Sequence, residues 1–344
     1  MSPIRVTVDG TGEAFDQWGD DTLLRAALRA GVGIPYECNS GGCGSCRIDV
    51  VAGDVDDLWP DAPGRSDRDR RRGKLLACQA RATTDAVVRV RTAHEYAGHR
   101  PPVRRPARVV AIEPVTHDMR RFMLQTPEPA EFLPGQYVSL FLPGVAAPRN
   151  YSMANLPNAD GRWDVIVRRV PGGAATGTLF DTVQVGDQCE IDGPYGLATL
   201  RTDADRDIVC VAGGSGLAPM LSIARGAAAA GLLEHRRLDF FYGARTPADV
   251  CGQAELAALA DVGAQVVFHP VVSMPEEEHG QPWDGATGFV HDIACASLAG
   301  QLNGRLADVE WYCAGPPPMT QALQTALVLD HGVPVGQIHF DRFF

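Results

Sequence analysis

One run of twelve residues, Pro35-Tyr36-Glu37-Cys38-Asn39-Ser40-Gly41-Gly42-Cys43-Gly44-Ser45-Cys46, sets three thiols in a glycine-rich loop, and a fourth follows at Cys78. A C-x4-C-x2-C spacing with one distant partner holds a 2Fe–2S cluster on four thiolates, so Cys38, Cys43, Cys46 and Cys78 are the expected metal ligands. Sulfide and thiolate sulfurs carry negative charge. The loop must therefore turn backbone N–H groups inward, and Gly41, Gly42 and Gly44 permit bends that a Cβ would forbid. A disulfide framework would need an oxidising compartment, whereas the opening Met1-Ser2-Pro3-Ile4-Arg5 has no apolar signal segment. A zinc site would more often show two close cysteine pairs or histidines, and only one close pair is present.

The flanking sequence supplies a frame for that loop. Ile4 to Val8 alternates apolar and polar side chains, a turn follows at Asp9-Gly10-Thr11-Gly12, and a second short strand lies around Phe15. Asp20, Asp21 or Thr22 can cap a helix that buries Leu23, Leu24, Ala27 and Leu28 and stops at Gly31. Arg47 to Val51 returns to strand. Asp67 to Lys74 is a charged helix or loop on the surface, Leu75-Leu76-Ala77 delivers Cys78, and Ala86 to Val90 closes the sheet. A small mixed sheet crossed by a helix resembles the β-grasp of plant-type ferredoxins, which sets the first domain at residues 1–97.

Residues 98–106, Gly-His-Arg-Pro-Pro-Val-Arg-Arg-Pro, have the composition of a stiff linker. The next domain, 107–203, reads as strand after strand: Arg108 to Ile112, Arg121 to Gln125, Tyr137 to Leu142, Trp163 to Val170 and Gln188 to Ile191, punctuated by proline and glycine, which predicts a small antiparallel β-barrel. Within it, Arg149-Asn150-Tyr151-Ser152 offers a guanidinium for a pyrophosphate, a tyrosine two residues along the same face to lie on a flavin ring, and a hydroxyl to reach a ring nitrogen. Gly172-Gly173-Ala174-Ala175-Thr176 is a glycine turn running into a helix start, whose free N–H groups suit the same pyrophosphate. Val167 and Arg168, at the end of the preceding strand, join this FAD-binding set.

Residues 204–344 alternate strand and helix, the pattern of a doubly wound α/β domain for NAD. Asp207 to Ala212 is an apolar run, the mark of a buried parallel strand, and it empties into Gly213-Gly214-Ser215-Gly216. Leu238 to Tyr242, ending at Arg245, Val266 to Val272, and Val309 to Cys313, ending at Gly315-Pro316, repeat the theme. Ligands of such sheets sit outside the carboxyl ends of the strands, so Gly213, Gly214, Gly216, Arg245, Gly315 and Pro316 are the expected nicotinamide-nucleotide contacts.

These three modules in this order resemble the iron–sulfur flavoprotein reductases of the ferredoxin–NADP reductase superfamily. Pro35 to Cys46, Leu58 to Gly64, Gly193-Pro194-Tyr195-Gly196-Leu197 and the terminal Ile338 to Phe344 are similar to the NADH reductase components of four-component toluene and alkene monooxygenases. The resemblance implies that Arg149, Tyr151 and Ser152 hold FAD, with Ser152 near the flavin N5, and that Thr176 stands at the pyrophosphate where relatives carry serine. It implies a terminal aromatic over the flavin, Phe343, with Phe344 the alternative; Ser152 and Phe343 are then the residues nearest the chemistry. The family's Cys-Gly-Pro-Pro appears here as Cys313-Ala314-Gly315-Pro316-Pro317, which turns the thiol to the other face of the strand and makes Cys313 a packing residue.

The implied function follows from electron counting. NADH yields two electrons together, a cluster accepts one, and FAD manages both, so electrons are expected to run from NADH through FAD and the 2Fe–2S cluster to a Rieske-type ferredoxin and, through it, a di-iron hydroxylase. A reductase serving a Rieske dioxygenase or a phenol-type hydroxylase directly is the alternative, and a non-enzymatic redox carrier or sensor the rival of another class. NADH is expected over NADPH: Arg245 could meet a 2′-phosphate, but no further basic residue follows before Glu255 and Asp249 would repel one. His117, His269 and His291 read as surface or structural residues. The net charge of −11 lies mainly in residues 204–344, with 7 basic and 16 acidic side chains, and disfavours a nucleic-acid partner. No apolar run is long enough to span a bilayer, and a cytoplasmic monomer is expected.

Overall fold

A computed structural model describes residues 2–261, 265–275 and 282–343, so Phe344 lies outside the described residues. It separates into two compact units, one of residues 1–104 with 192–197, the other of 105–191 with 198–343.

In the first unit a five-stranded mixed sheet runs in the order Ala14–Gln17, Ile4–Val8, Ala86–Arg89, Arg47–Ala52, Leu75–Leu76, with Val55–Asp57 and Ala80–Ala82 paired separately. The helix Leu23–Arg29 begins where the Thr22 hydroxyl accepts the Arg25 N–H at 3.3 Å, satisfying one orphan donor. Its Leu23, Leu24, Ala27 and Leu28 are buried, and Gly31 ends it at φ +75°. This is the β-grasp arrangement. Asp67–Arg71 is a short helix whose Ser66 and Asp69 form a capping box.

Two further sheets are built mainly from residues 105–191 and 198–343. Six antiparallel strands run Arg149–Ser152, Tyr137–Phe141, Gln188–Tyr195, Val103–Pro114, Met119–Gln125, Arg162–Arg168. A bridge between Met153 and Val165 joins the two ends, closing a barrel around Phe122, Trp163, Val165 and Ile191. The strand Val103–Pro114 begins inside the stretch read as a linker, so residues 103–106 are strand instead. Pro101 and Pro102 hold the chain extended up to that point, and Pro106, inside the strand, gives up only its own N–H.

The other sheet is wholly parallel, in the order Ala286–Thr287, Val266–Val272, Leu238–Ala244, Asp207–Gly213, Val309–Gly315, Ile338–Arg342. Leu217–Ala229 covers one face, with Val290–Gln301 and Pro317–Thr325 on the other, so the three central strands are buried on both faces and mostly apolar. Strand order reverses between the Asp207–Gly213 strand and its two neighbours, which opens a crevice at their carboxyl ends.

Candidate functional site

The cysteines converge. Cys38, Cys46 and Cys78 are buried, Cys43 is half-buried, and Cys38, Cys43 and Cys46 all lie close enough to Cys78 to raise its thiol. Hydrogen bonding from Cys43 and Ser40 outweighs burial and brings the Cys38 thiol down to about 6, while Cys43 and Cys78 are pushed well up by neighbouring sulfur and burial. Backbone N–H groups point inward: Cys43 donates to the Cys38 sulfur at 3.3 Å and Ser45 to the Cys43 sulfur at 3.4 Å. Asn39 (φ +47°), Gly41 (φ +85°) and Gly44 (φ +74°) take left-handed conformations to make this possible. The Asn39 amide is buried, and neither its oxygen nor its nitrogen has a partner among the described residues. Four convergent sulfurs, inward N–H groups and an unspent amide fit a 2Fe–2S cluster.

At the barrel, Arg149 is exposed and donates to the carbonyls of Ala147 and Pro148, at 3.0 and 3.1 Å. Asn150 accepts the Ser139 hydroxyl at 2.6 Å. Tyr151 is half-buried against the barrel core, and burial pushes its phenol up to about 12. Ser152 is buried and donates to Asp341 at 2.5 Å. After the strand Arg162–Arg168, Gly172 (φ +71°) turns the chain into the helix Ala174–Asp181, whose N-terminus at Gly173 has no side-chain cap. A Cβ at Gly173 would stand 2.7 Å from the Thr176 hydroxyl, which bonds the Val170 and Gly173 carbonyls at 3.3 Å. An uncapped helix start behind a glycine turn fits the pyrophosphate of FAD. The Val167 side chain is in the barrel core, which leaves its backbone for a ligand.

The residues expected to meet the nicotinamide nucleotide divide into two sets. Gly213, Gly214, Arg245 and Pro316 line a cavity of about 400 Å³ at the carboxyl ends of the parallel strands, with Arg168 opposite them. The Arg168 guanidinium bonds Asp118 at 2.6 Å, and a Cβ at Gly214 would come within 3.4 Å of it. Gly216 and Gly315 do not line that cavity; they let chains pack closely, a Cβ at Gly216 falling 2.1 Å from the Ala314 carbonyl and one at Gly315 falling 2.9 Å from Met319. Phe343 is half-buried against the domain core, with its N–H on the Gly315 carbonyl at 3.2 Å. Cys313 is fully buried with Val209, Trp311 and Leu323, on the face opposite to Ala314.

Among the histidines, His269 is satisfied by Asp239 at 2.7 Å and His117 is exposed. His291 departs from expectation, because it lines the crevice, stacked on Phe289 with ring centroids 5.6 Å apart. Neither Phe289 nor Asp118 could be picked out beforehand.

The fold and these sites define an FAD- and NAD-binding oxidoreductase carrying its own 2Fe–2S domain. Three family models match in series: a 2Fe-2S iron-sulfur cluster binding domain over residues 6–83, an oxidoreductase FAD-binding domain over 106–199 and an oxidoreductase NAD-binding domain over 210–325. The chain is 42% identical over 335 residues to the ferredoxin–NAD(+) reductase component of the alkene monooxygenase system of Xanthobacter autotrophicus, covering 96% of this chain and 98% of that one. It is 40% identical over 328 residues to the ferredoxin–NAD(P)(+) reductase CarAd of Metapseudomonas resinovorans, covering 94% of each. The solved structure of the ferredoxin reductase in carbazole 1,9a-dioxygenase superposes with a TM-score of 0.87 at 36% identity, covering 99% of this chain and 98% of that one. The chain belongs to the ferredoxin–NAD(P)+ reductase components of multicomponent oxygenase systems. As such it carries electrons from a nicotinamide nucleotide through FAD and a 2Fe–2S cluster toward an oxygenase partner. Among the described residues no helix is long and apolar enough to cross a membrane.

Proposed function

We propose that this reductase works in the cytoplasm, takes its electrons from NADH and delivers them to a Rieske-type ferredoxin of a di-iron toluene or alkene monooxygenase system. The observation that carries this reading is the end-to-end match to an alkene monooxygenase reductase, 42% identical over 96% of the chain. The close superposition on the carbazole dioxygenase reductase favours a second reading, in which the acceptor belongs to a Rieske dioxygenase.

FAD supplies the one property the chain cannot, exchanging electrons in pairs on one side and singly on the other. The side chains bind and orient. Arg149, with the open helix start at Gly173, would neutralise the pyrophosphate, and Tyr151, on the strand face it shares with Arg149, would lie against the isoalloxazine. Ser152, its proton committed to Asp341, would accept the N5–H of the reduced flavin. Gly213, Gly214 and Pro316 admit the dinucleotide backbone, and Phe289 stacked with His291 offers a plane for the adenine. Phe343 would cover the flavin face at which the nicotinamide lands. Cys38, Cys43, Cys46 and Cys78 hold the cluster, with the Asn39 amide ready to donate to a sulfide.

The deciding experiment mixes the holoenzyme and NADH with purified Rieske-type ferredoxins, a Rieske dioxygenase and a phenol-type hydroxylase, and compares kcat/KM. A monooxygenase ferredoxin should be reduced fastest. Preference for an oxygenase without an intermediate ferredoxin would overturn the reading.

A further inference from the structure

Beside the cluster loop stands an apolar pair with no role in the sites above. Leu58 and Trp59 are 45% and 42% exposed. Trp59 leans on the loop itself, since a Cβ at Gly41 would meet its Cε3 at 3.0 Å. Leu58 is tied to the other cysteine segment, its N–H donating to the Gln79 carbonyl at 2.8 Å, one residue past Cys78. The pair therefore adjoins both segments that carry the cysteines.

Charge gathers next to it. Residues 65–74 contain six basic and two acidic side chains, in a chain whose net charge is −11. Arg65, Arg70 and Lys74 are paired with Asp57, Asp67 and Asp49, at 2.5, 3.0 and 2.8 Å. Arg68, Arg71 and Arg72 are exposed and have no carboxylate partner among the described residues. The turn leading into their helix is fixed to the cluster loop, because the Gly64 N–H donates to the Gly41 carbonyl at 2.8 Å. Unpaired arginines standing together in an acidic protein repel one another, and an approaching acidic surface relieves that repulsion.

We propose that Leu58 and Trp59, flanked by Arg68, Arg71 and Arg72, form the surface on which an acidic protein acceptor docks to take electrons. The proposal deepens the reading above and rests on it. The occupant is a small iron–sulfur protein with an acidic rim around an apolar spot. The exposed aromatic and leucine supply the contact that excludes water, and the arginines supply steering and register. Each encounter moves one electron: the reductase side is oxidised by one and the acceptor's iron–sulfur centre reduced by one.

The test uses the full-length holoenzyme, a triple Arg68→Glu, Arg71→Glu, Arg72→Glu variant, and Leu58→Ala. Ferricyanide, a small anion that needs no docking surface, reports NADH oxidation. An acidic Rieske-type ferredoxin and the basic cytochrome c serve as protein acceptors. The triple variant should keep its 2Fe–2S and flavin absorption and its ferricyanide rate, lose roughly tenfold or more in kcat/KM for the Rieske ferredoxin, and lose nothing with cytochrome c. Leu58→Ala should raise KM for the ferredoxin several-fold, and added salt should slow the wild type far more than the triple variant. A triple variant that reduces the ferredoxin as fast as wild type overturns the surface alone. A wild type that reduces ferricyanide but no Rieske ferredoxin overturns the parent reading with it. Self-association of the wild type, abolished in the triple variant, would make the patch a contact between copies and also sink the proposal.

Discussion

Ser152 donates its hydroxyl proton to Asp341, with Oγ and Oδ2 2.5 Å apart although 189 positions separate the two residues in sequence. The serine closes the Arg149–Ser152 strand of the barrel, and the aspartate lies in the last strand of the parallel sheet. A serine hydroxyl has one proton. With that proton held by a carboxylate, toward any third group Ser152 can only accept. The geometry suits a partner that offers an N–H.

If the pair acts as a unit, its two members should not contribute independently. Ser152→Ala and Asp341→Ala should each slow reduction of bound flavin by NADH about tenfold or more, and the double variant should be nearly as fast as the slower single. Stopped-flow bleaching of the flavin at saturating NADH measures this. Multiplying losses in the double variant would show two independent roles.

The cluster loop is sensitive to a single methyl group. Gly44 combines φ +74° with a Cβ position only 2.2 Å from the Gly64 carbonyl, so alanine there meets both backbone strain and a fixed oxygen. Gly44→Ala should purify with flavin in place but with well under half the wild-type iron and sulfide, while NADH-driven ferricyanide reduction survives. Gly42→Ala is the natural comparison, as Gly42 is not among the left-handed glycines. Equal iron content in the Gly44 variant and wild type would remove the steric argument.

What the sequence makes legible follows from how local its cause is. The cysteine spacing, the Thr22 cap, the Gly31 stop and the apolar runs of the parallel sheet act within a few residues, and each appears where its pattern places it. Asp341 was invisible as a partner of Ser152 because no short-range pattern joins positions that meet only through tertiary folding. The same holds for the unspent Asn39 amide and for the close packing at Gly216 and Gly315, set by the Ala314 carbonyl and by Met319. The strand starting at Val103 was hidden by the prolines around it, and the strand ending at Tyr195 ran further than expected because Gly193 and Pro194 sit inside it.

Coenzyme choice should follow the charges in the crevice. Arg245 is exposed on its wall, but Asp118 and Asp249 line the same cavity, with Asp249 held in place by the Thr246 N–H at 3.0 Å. Arg168 on the same wall is already paired with Asp118 at 2.6 Å, which leaves Arg245 to share the cavity with Asp249, a poor home for a 2′-phosphate. NADH should exceed NADPH by about tenfold or more in kcat/KM, and Arg245→Ala should weaken NADPH more than NADH. An enzyme that preferred NADPH would contradict the assignment.

At the opposite end of the parallel sheet, Glu310 is buried and held by His339 at 2.6 Å and Arg206 at 2.6 Å. Burial raises its carboxyl, but the two hydrogen-bonded partners outweigh it and hold the group below the ordinary glutamate range. A carboxyl whose folded value is depressed stabilises the fold fully above its unfolded value of about 4.3, and that contribution is lost as pH falls through the folded value. Glu310→Gln leaves Arg206 and His339 without their anion and should cost about 3 kcal/mol at pH 7. The deficit should shrink steadily below about pH 4.3, because the wild type is then losing the same carboxylate. Urea unfolding of both proteins at pH 7 and at pH 3.5 reads the difference directly. A deficit of equal size at both pH values would mean that Glu310 stabilises the sheet by shape alone and not by its charge.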